Sequence, residues 1–167
     1  MIRANAWTLC EAEALVAIVR HTMQIDRVIH NLPDGFDAMR AEASAEGHRN
    51  LERLALDWAS GAMRFDGEGE ALLAAHVQDT LAGIGGLTIE PVVPSAFRMR
   101  RFYVRPLFRR QGIGRQLAIA LIEPALARSS TITVNAGNVD APAFWIRLGF
   151  TPDLRDGHTH ILRRPSV

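Results

Sequence analysis

A chain of 167 residues with 48% hydrophobic and 22% charged residues can bury the core of one domain, taken here as residues 1–167. A net charge of +1 argues against a general nucleic-acid binder, and a lone cysteine, Cys10, excludes an internal disulfide or a cysteine-based zinc site. No apolar run approaches the ~20 residues of a membrane span and no signal peptide is legible, so a cytoplasmic location is expected.

Met1 to Trp7 reads as a short edge strand. Thr8 and Glu11 fit a capping box, and Leu15, Ile18, Val19 and Met23 fall on one helical face, predicting a helix to about Met23. Asn31 to Gly35 breaks the chain. A short polar helix is expected over Asp37 to Glu46, interrupted by Gly47, and Leu51, Leu54, Ala55, Trp58 and Ala62 then form an amphipathic face with Trp58 as core. Asp66 to Glu70 is a loop. Ala71 to Val77 and Thr80 to Glu90 read as a hairpin turning near Gln78 and Asp79. Three glycines inside its second strand, Gly83, Gly85 and Gly86, suggest a bulge or a close backbone approach.

Phe97 to Val104 is the next strand. Simple alternation puts Arg98, Arg100, Phe102 and Val104 on one face and Phe97, Met99, Arg101 and Tyr103 on the other. The helix that follows, from Gly112 to about Arg128, is apolar nearly all round, which predicts burial on most sides, and Pro124 should kink or break it. Thr131 to Asn135 is a strand. Asn138 or Asp140 can cap a last helix with Pro142 in its first turn, and Gly149 suits its end. Phe150 to Asp153 and His158 to Leu162 would close the fold as a hairpin, with His158 and His160 as exposed strand residues rather than metal ligands.

The chemistry concentrates in Arg109-Arg110-Gln111-Gly112-Ile113-Gly114, between a strand and a helix. A helix start offers unpaired N–H groups and a positive dipole end, and two glycines let the backbone approach a phosphate closely. Arg109, Arg110 and Arg115 add mobile positive charge, so the stretch reads as a phosphate or pyrophosphate cradle. The chain has no lysine, which excludes a Walker loop, and Leu117 excludes the Gly-x-Gly-x-x-Gly fingerprint.

The pattern Val104-x-Pro106-x-x-Arg109-x-x-Gly112-x-Gly114, together with Asn138-x-x-Ala141-x-x-Phe144-Trp145-x-x-Leu148-Gly149-Phe150, resembles the GNAT superfamily of N-acetyltransferases. That resemblance implies an α+β fold with a mixed, mostly antiparallel sheet of about six to seven strands and about four helices. It implies acetyl-CoA as co-substrate and an amine as acceptor. The pantetheine arm would pair with the backbone of Phe102, Tyr103 and Val104. Arg109, Arg110, Gln111, Gly112, Ile113, Gly114 and Arg115 would hold the pyrophosphate, and Asn138 and Trp145 would flank the thioester. The family's usual tyrosine acid is replaced by Trp145, and the usual glutamate of the strand before the cradle by Arg98. Candidate substitutes are His76, Glu90, Tyr103 and Asp140, with Tyr103 the only phenol in the chain. The catalytic positions are therefore Tyr103, Asn138 and Trp145. The reading is an N-acetyltransferase, with a non-catalytic acyl-CoA-binding or sensing domain as the alternative. No metal, nucleic-acid or membrane partner is expected, and a homodimer is.

Overall fold

The computed structural model describes residues 23–155 and 157–164. The expected first strand and the body of the first helix lie outside them. Met23, expected at a helix end, instead opens strand β1 (Met23–Arg27), which pairs antiparallel with β2. Gln24, Asp26 and Arg27 leave β1 half polar, so the pairing with a distant strand sets its conformation rather than its own pattern.

Helices α1 (Phe36–Ala45) and α2 (Asn50–Ser60) follow, ending at Glu46 and Gly61. Each buries one stripe: Phe36, Met39 and Ala43 from α1, and Leu51, Leu54 and Trp58 from α2. Strands β2 (Ala71–Val77) and β3 (Thr80–Ile89) form the expected hairpin. Its two turn residues, Gln78 and Asp79, both have positive φ, the geometry that matches strand twist. Then come β4 (Phe97–Val104), a single 3₁₀ turn (Pro106–Phe108), α3 (Ile113–Arg128), β5 (Thr131–Val134), α4 (Ala141–Arg147), β6 (Thr151–Arg155) and β7 (His158–Arg163).

The seven strands form one sheet in the order β1-β2-β3-β4-β5-β7-β6, in which only β4 and β5 run parallel. One face packs on α1 and α2 through Leu72, Ala74, Leu81, Ile84 and Tyr103. The other packs on α3 and α4 through Leu87, Phe97, Met99 and Ile132, with Trp145 of α4 against them. This is the mixed, mostly antiparallel sheet with four helices that the sequence resemblance implies.

Two expectations about α3 are corrected. Pro124 does not break it: the helix runs through to Arg128, with Pro124 on its exposed side, where the lost hydrogen bond is open to water. Nor is the helix buried on most sides. Ile113, Leu117, Ala118, Leu121, Ile122 and Ala125 face the sheet, while Arg115, Gln116, Glu123, Ala127 and Arg128 are exposed. His158 and His160 also depart from expectation: they are 1% and 7% exposed, against Asp153 and Thr159 respectively.

Candidate active site

The site forms where β4 leaves β5. Only Phe97, Arg98 and Met99 pair with β5, opposite Ile132, Thr133 and Val134. Beyond Met99 the strands part, and β4 continues alone on that side to Val104. Two features part them. The backbone N–H of Ala136 donates to Thr159 Oγ1 at 2.9 Å, drawing the chain after β5 toward β7. On the other side, β4 carries a bulge: its register with β3 shifts between Ile84 and Gly86, and Arg101 has φ +54°.

The bulge changes which residues share a face, and the alternation read from the sequence holds only up to Arg100. Phe102 and Val104 join Phe97 and Met99 on the α3 side, while Tyr103 joins the α1–α2 side. Glycine makes room for this. A Cβ on Gly85 would lie 2.5 Å from the Phe102 ring, and one on Gly83 would lie 3.2 Å from the Tyr103 carbonyl oxygen. The Phe102 ring then packs edge-on to Trp145 and tilted on Phe144, with centroids 5.1 and 5.6 Å away.

The cradle lies at the far end of the parted strand. Arg110 and Gly112 take positive φ, 62° and 79°, which turns the chain into α3. No backbone N–H from Arg110 to Arg115 donates to a backbone carbonyl among the described residues. A Cβ on Gly112 would meet nothing within 4 Å, so the approach to these donors is open. Gly114 is tighter: its Cβ would stand 3.3 Å from Val104 and 3.4 Å from Phe144, which fixes the helix start against β4 and α4. An open row of N–H donors at a helix start, with exposed Arg110 and Arg115 beside it, fits a pyrophosphate.

Arg109 is engaged elsewhere. Its guanidinium makes a two-pronged pair with Glu46 at 2.8 and 2.7 Å, donates to the Val104 carbonyl at 2.9 Å, and lies over the Tyr103 ring. Tyr103 donates its hydroxyl to the same carboxylate at 2.6 Å. The Arg109 hydrogen bonds, aided by Tyr103 and opposed by burial, lower the Glu46 carboxyl to about 2. Burial first, and then Glu46, push the Tyr103 phenol well above its ordinary range, so it stays protonated at neutral pH. Asn50 Nδ2 donates to the Phe102 carbonyl at 3.0 Å, and its Oδ1 is buried without a partner among the described residues. Two carbonyls on the parted edge of β4 are thus held by side chains from α2 and the cradle.

The remaining sequence candidates are spread out. Trp145 is 3% exposed and closes the aromatic core with Phe102, Phe144 and Phe150. Asn138 Oδ1 accepts from the N–H groups of Asp140 and Ala141 at 3.1 and 2.7 Å, holding the turn that leads into α4. Gly149, φ +94°, ends α4 with paired N–H bonds to Ile146 and Trp145 from itself and Phe150. His76 lies on β2, opposite Gln24 of β1, away from this opening. Glu90 is buried and bound by Arg98, Thr133 and the Val92 N–H; burial opposes its ionisation, but these bonds outweigh it and lower its pKa. Arg98 therefore serves an ion pair. Among the described residues no group of three acidic, histidine or cysteine side chains could hold a metal, and no helix is long and apolar enough to cross a membrane.

A mixed sheet whose two parallel strands part beside a glycine-bearing helix start is the architecture of the acetyltransferases that the motifs resemble. The model of the acetyltransferase (GNAT) family matches residues 33–150, and the chain belongs to that family. It is similar in structure to a protein of Exiguobacterium sp. 255-15 presented as a presumed acetyltransferase, at 26% identity and TM-score 0.74, covering 84% of this chain and 93% of that one. An acetyltransferase of Streptococcus agalactiae 2603 shares the fold at 14% identity and TM-score 0.67, covering 86% and 99%. Glucosamine-6-phosphate N-acetyltransferase of Arabidopsis thaliana does so at 14% identity and TM-score 0.58, covering 81% and 95%. Among curated proteins no match is found.

Proposed function

We propose that the chain is an N-acetyltransferase that moves an acetyl group from acetyl-CoA to an amine by direct attack on the thioester. The observation that carries this reading is the open N–H row of residues 110–115 that follows the parted strand β4 directly, through the single turn Pro106–Phe108. Pyrophosphate on the first and pantetheine along Phe102 to Val104 would bring the thioester to the bulge at Arg101, beside Asn138 and Trp145. Asn50 and Arg109 then exchange their contacts with the Phe102 and Val104 carbonyls for the amide groups of the arm.

Attack by the neutral amine forms the new C–N bond and breaks the C–S bond. The amine proton leaves to water, and the departing thiolate takes one from water. A thiol pKa of about 8.5 makes that thiolate a tolerable leaving group near neutral pH. No side-chain acid is required: Trp145 has no acidic proton to give, and the Tyr103 hydroxyl is turned to Glu46. Holding two reactants together contributes about 7–11 kcal/mol of barrier reduction, against the 10²–10⁴-fold of general acid–base help. Release of free thiol from acetyl-CoA over a broad amine panel tests the reading.

The second reading, a non-catalytic acyl-CoA-binding domain, draws on two observations: Trp145 sits inside the core, and two carbonyls of the parted edge already have protein donors. It predicts acetyl-CoA binding with no amine turned over. A cytoplasmic location and a homodimer complete the proposal, and light scattering at twice the chain mass checks the latter.

A further inference from the structure

Of the five arginines between positions 98 and 109, four have a carboxylate partner among the described residues and one does not. Arg98 pairs with Glu90, Arg101 with Asp57, Arg105 with Glu42 and Arg109 with Glu46. Arg100 pairs with no carboxylate among the described residues, although it is half-buried. Its Nε donates to Thr88 Oγ1 at 2.8 Å, and neither of its two terminal nitrogens donates to a described protein acceptor. Burial, and then the neighbouring charges of Arg98 and Arg101, lower its pKa. Glu90 and Asp57 act on it through space and oppose that shift, but no described carboxylate touches it, and a half-buried cation without a contacting anion favours a ligand that brings one.

The guanidinium of Arg100 lines a cavity of about 300 Å³ between the end of α2 and the end of β3, with Met63, Arg64, Thr88 and Pro91 among its walls. The other charges of this cavity are occupied or solvated. Glu70 accepts from the backbone N–H groups of Ile89 and Gly67. Arg64 lies over the Trp58 ring, 4.9 Å from its centroid, and Asp66 is exposed at the rim. The cavity opens on the α1–α2 side of the sheet, opposite α3. Arg100 directly precedes the bulge residue Arg101, one Cα-to-Cα step of about 3.8 Å away. An anion at Arg100 and an amine at the bulge therefore fit within one small molecule, and the volume is that of a small-ligand site.

Building on the transfer reading above, we propose that the acceptor amine carries an anionic oxygen group, carboxylate or phosphate, that docks on Arg100 in this cavity. A planar fork with free donors suits either group. The chain acetylates small anionic amines rather than neutral amines.

The test compares acetyl-CoA-dependent thiol release with paired amines: amino acids against their carboxamides, and aminoethyl phosphate against ethanolamine. The two pairs separate carboxylate from phosphate. The anionic member should be favoured in kcat/KM by roughly 30-fold or more, mostly through KM, since an unpaired buried charge is what the neutral member leaves behind. Arg100→Gln should collapse the preference to within about 3-fold, and Arg100→Lys, which keeps the charge, should restore part of it. Equal use of both members by the wild-type protein, or a preference that survives in Arg100→Gln, overturns the proposal. If the glutamine variant does not fold, the wild-type pairs and the lysine variant decide it. Calorimetry with acetyl-CoA separates the failures: binding with no turnover of any anionic amine overturns the acceptor proposal, and no binding overturns the transfer reading beneath it.

Discussion

Gly85→Ala places one methyl group where the bulge of β4 needs none. The new Cβ would lie 2.5 and 3.0 Å from two Phe102 ring carbons and 3.4 Å from Leu121. Gly85 has no positive φ, so alanine carries no backbone penalty there, and the effect is steric. The ring cannot swing clear, because Trp145 and Phe144 stand behind it at 5.1 and 5.6 Å. Overpacking of this kind costs about 1–3 kcal/mol, and the smaller chain entropy of alanine returns about 0.5–1 kcal/mol. A contact as short as 2.5 Å puts the clash at the upper end, about 3 kcal/mol, so the net loss should be about 2 kcal/mol, a fall in Tm of roughly 4–8 °C for a chain of this size. Gly83→Ala is the milder comparison: its nearest contacts, the Tyr103 carbonyl oxygen first, are 3.2 to 3.5 Å away, so its loss should be about 1 kcal/mol or less and smaller than that of Gly85→Ala. In urea denaturation the Gly85→Ala, Phe102→Leu double variant should recover at least about 1 kcal/mol relative to additivity. Equal losses in Gly83→Ala and Gly85→Ala, or additive energies in the cycle, would refute the placement of Phe102 under the bulge.

Tyr103→Phe removes the hydroxyl bonded to Glu46 and should cost about 1–2 kcal/mol in stability while lowering kcat by less than about 10-fold; a loss of 10²-fold or more would make that phenol the missing acid. Glu46→Gln should lower stability near neutral pH and leave it unchanged in strong acid. The folded-state carboxyl, at about 2 against an ordinary 4.5, contributes stability fully present above pH 4.5 and lost as pH falls toward 2. The shift taken whole is worth about 3 kcal/mol, and partial exposure reduces it to about 1 kcal/mol. Equilibrium unfolding of both proteins should therefore show a gap that is flat from pH 7 to 5 and closes between pH 4.5 and 2.

The turn into α3 and the ends of α4 were legible in the sequence because their geometry is local: the left-handed Gly112, the Asn138 turn and the left-handed Gly149 each act within a few residues of their own position. The glycines of β3 also announced a bulge. Its consequence was not legible. Alternation assumes an unbroken strand, and one residue at positive φ, Arg101, moved Phe102 and Tyr103 to opposite faces from those expected. The ion pairs were hidden for a different reason: Arg101, Arg105 and Arg109 meet carboxylates 44 to 63 residues away, so no local pattern marks which arginine lacks one. Edge strand β1 has too few apolar residues to declare itself without its partner. Pro124 does not end the helix, which continues through it to Arg128 with the ring on the exposed side.

The central claim is that the helix start at Gly112 and Gly114 binds the pyrophosphate of acetyl-CoA. Calorimetric titration of acetyl-CoA and desulfo-CoA into the wild-type protein, Gly112→Glu and Gly114→Glu tests it most directly. The account predicts that both ligands bind the wild-type protein, since the cradle reads phosphate rather than sulfur, and that neither binds the two variants, whose carboxylates fill the open approach and repel the phosphates. Wild-type affinity for acetyl-CoA in both glutamate variants would contradict it.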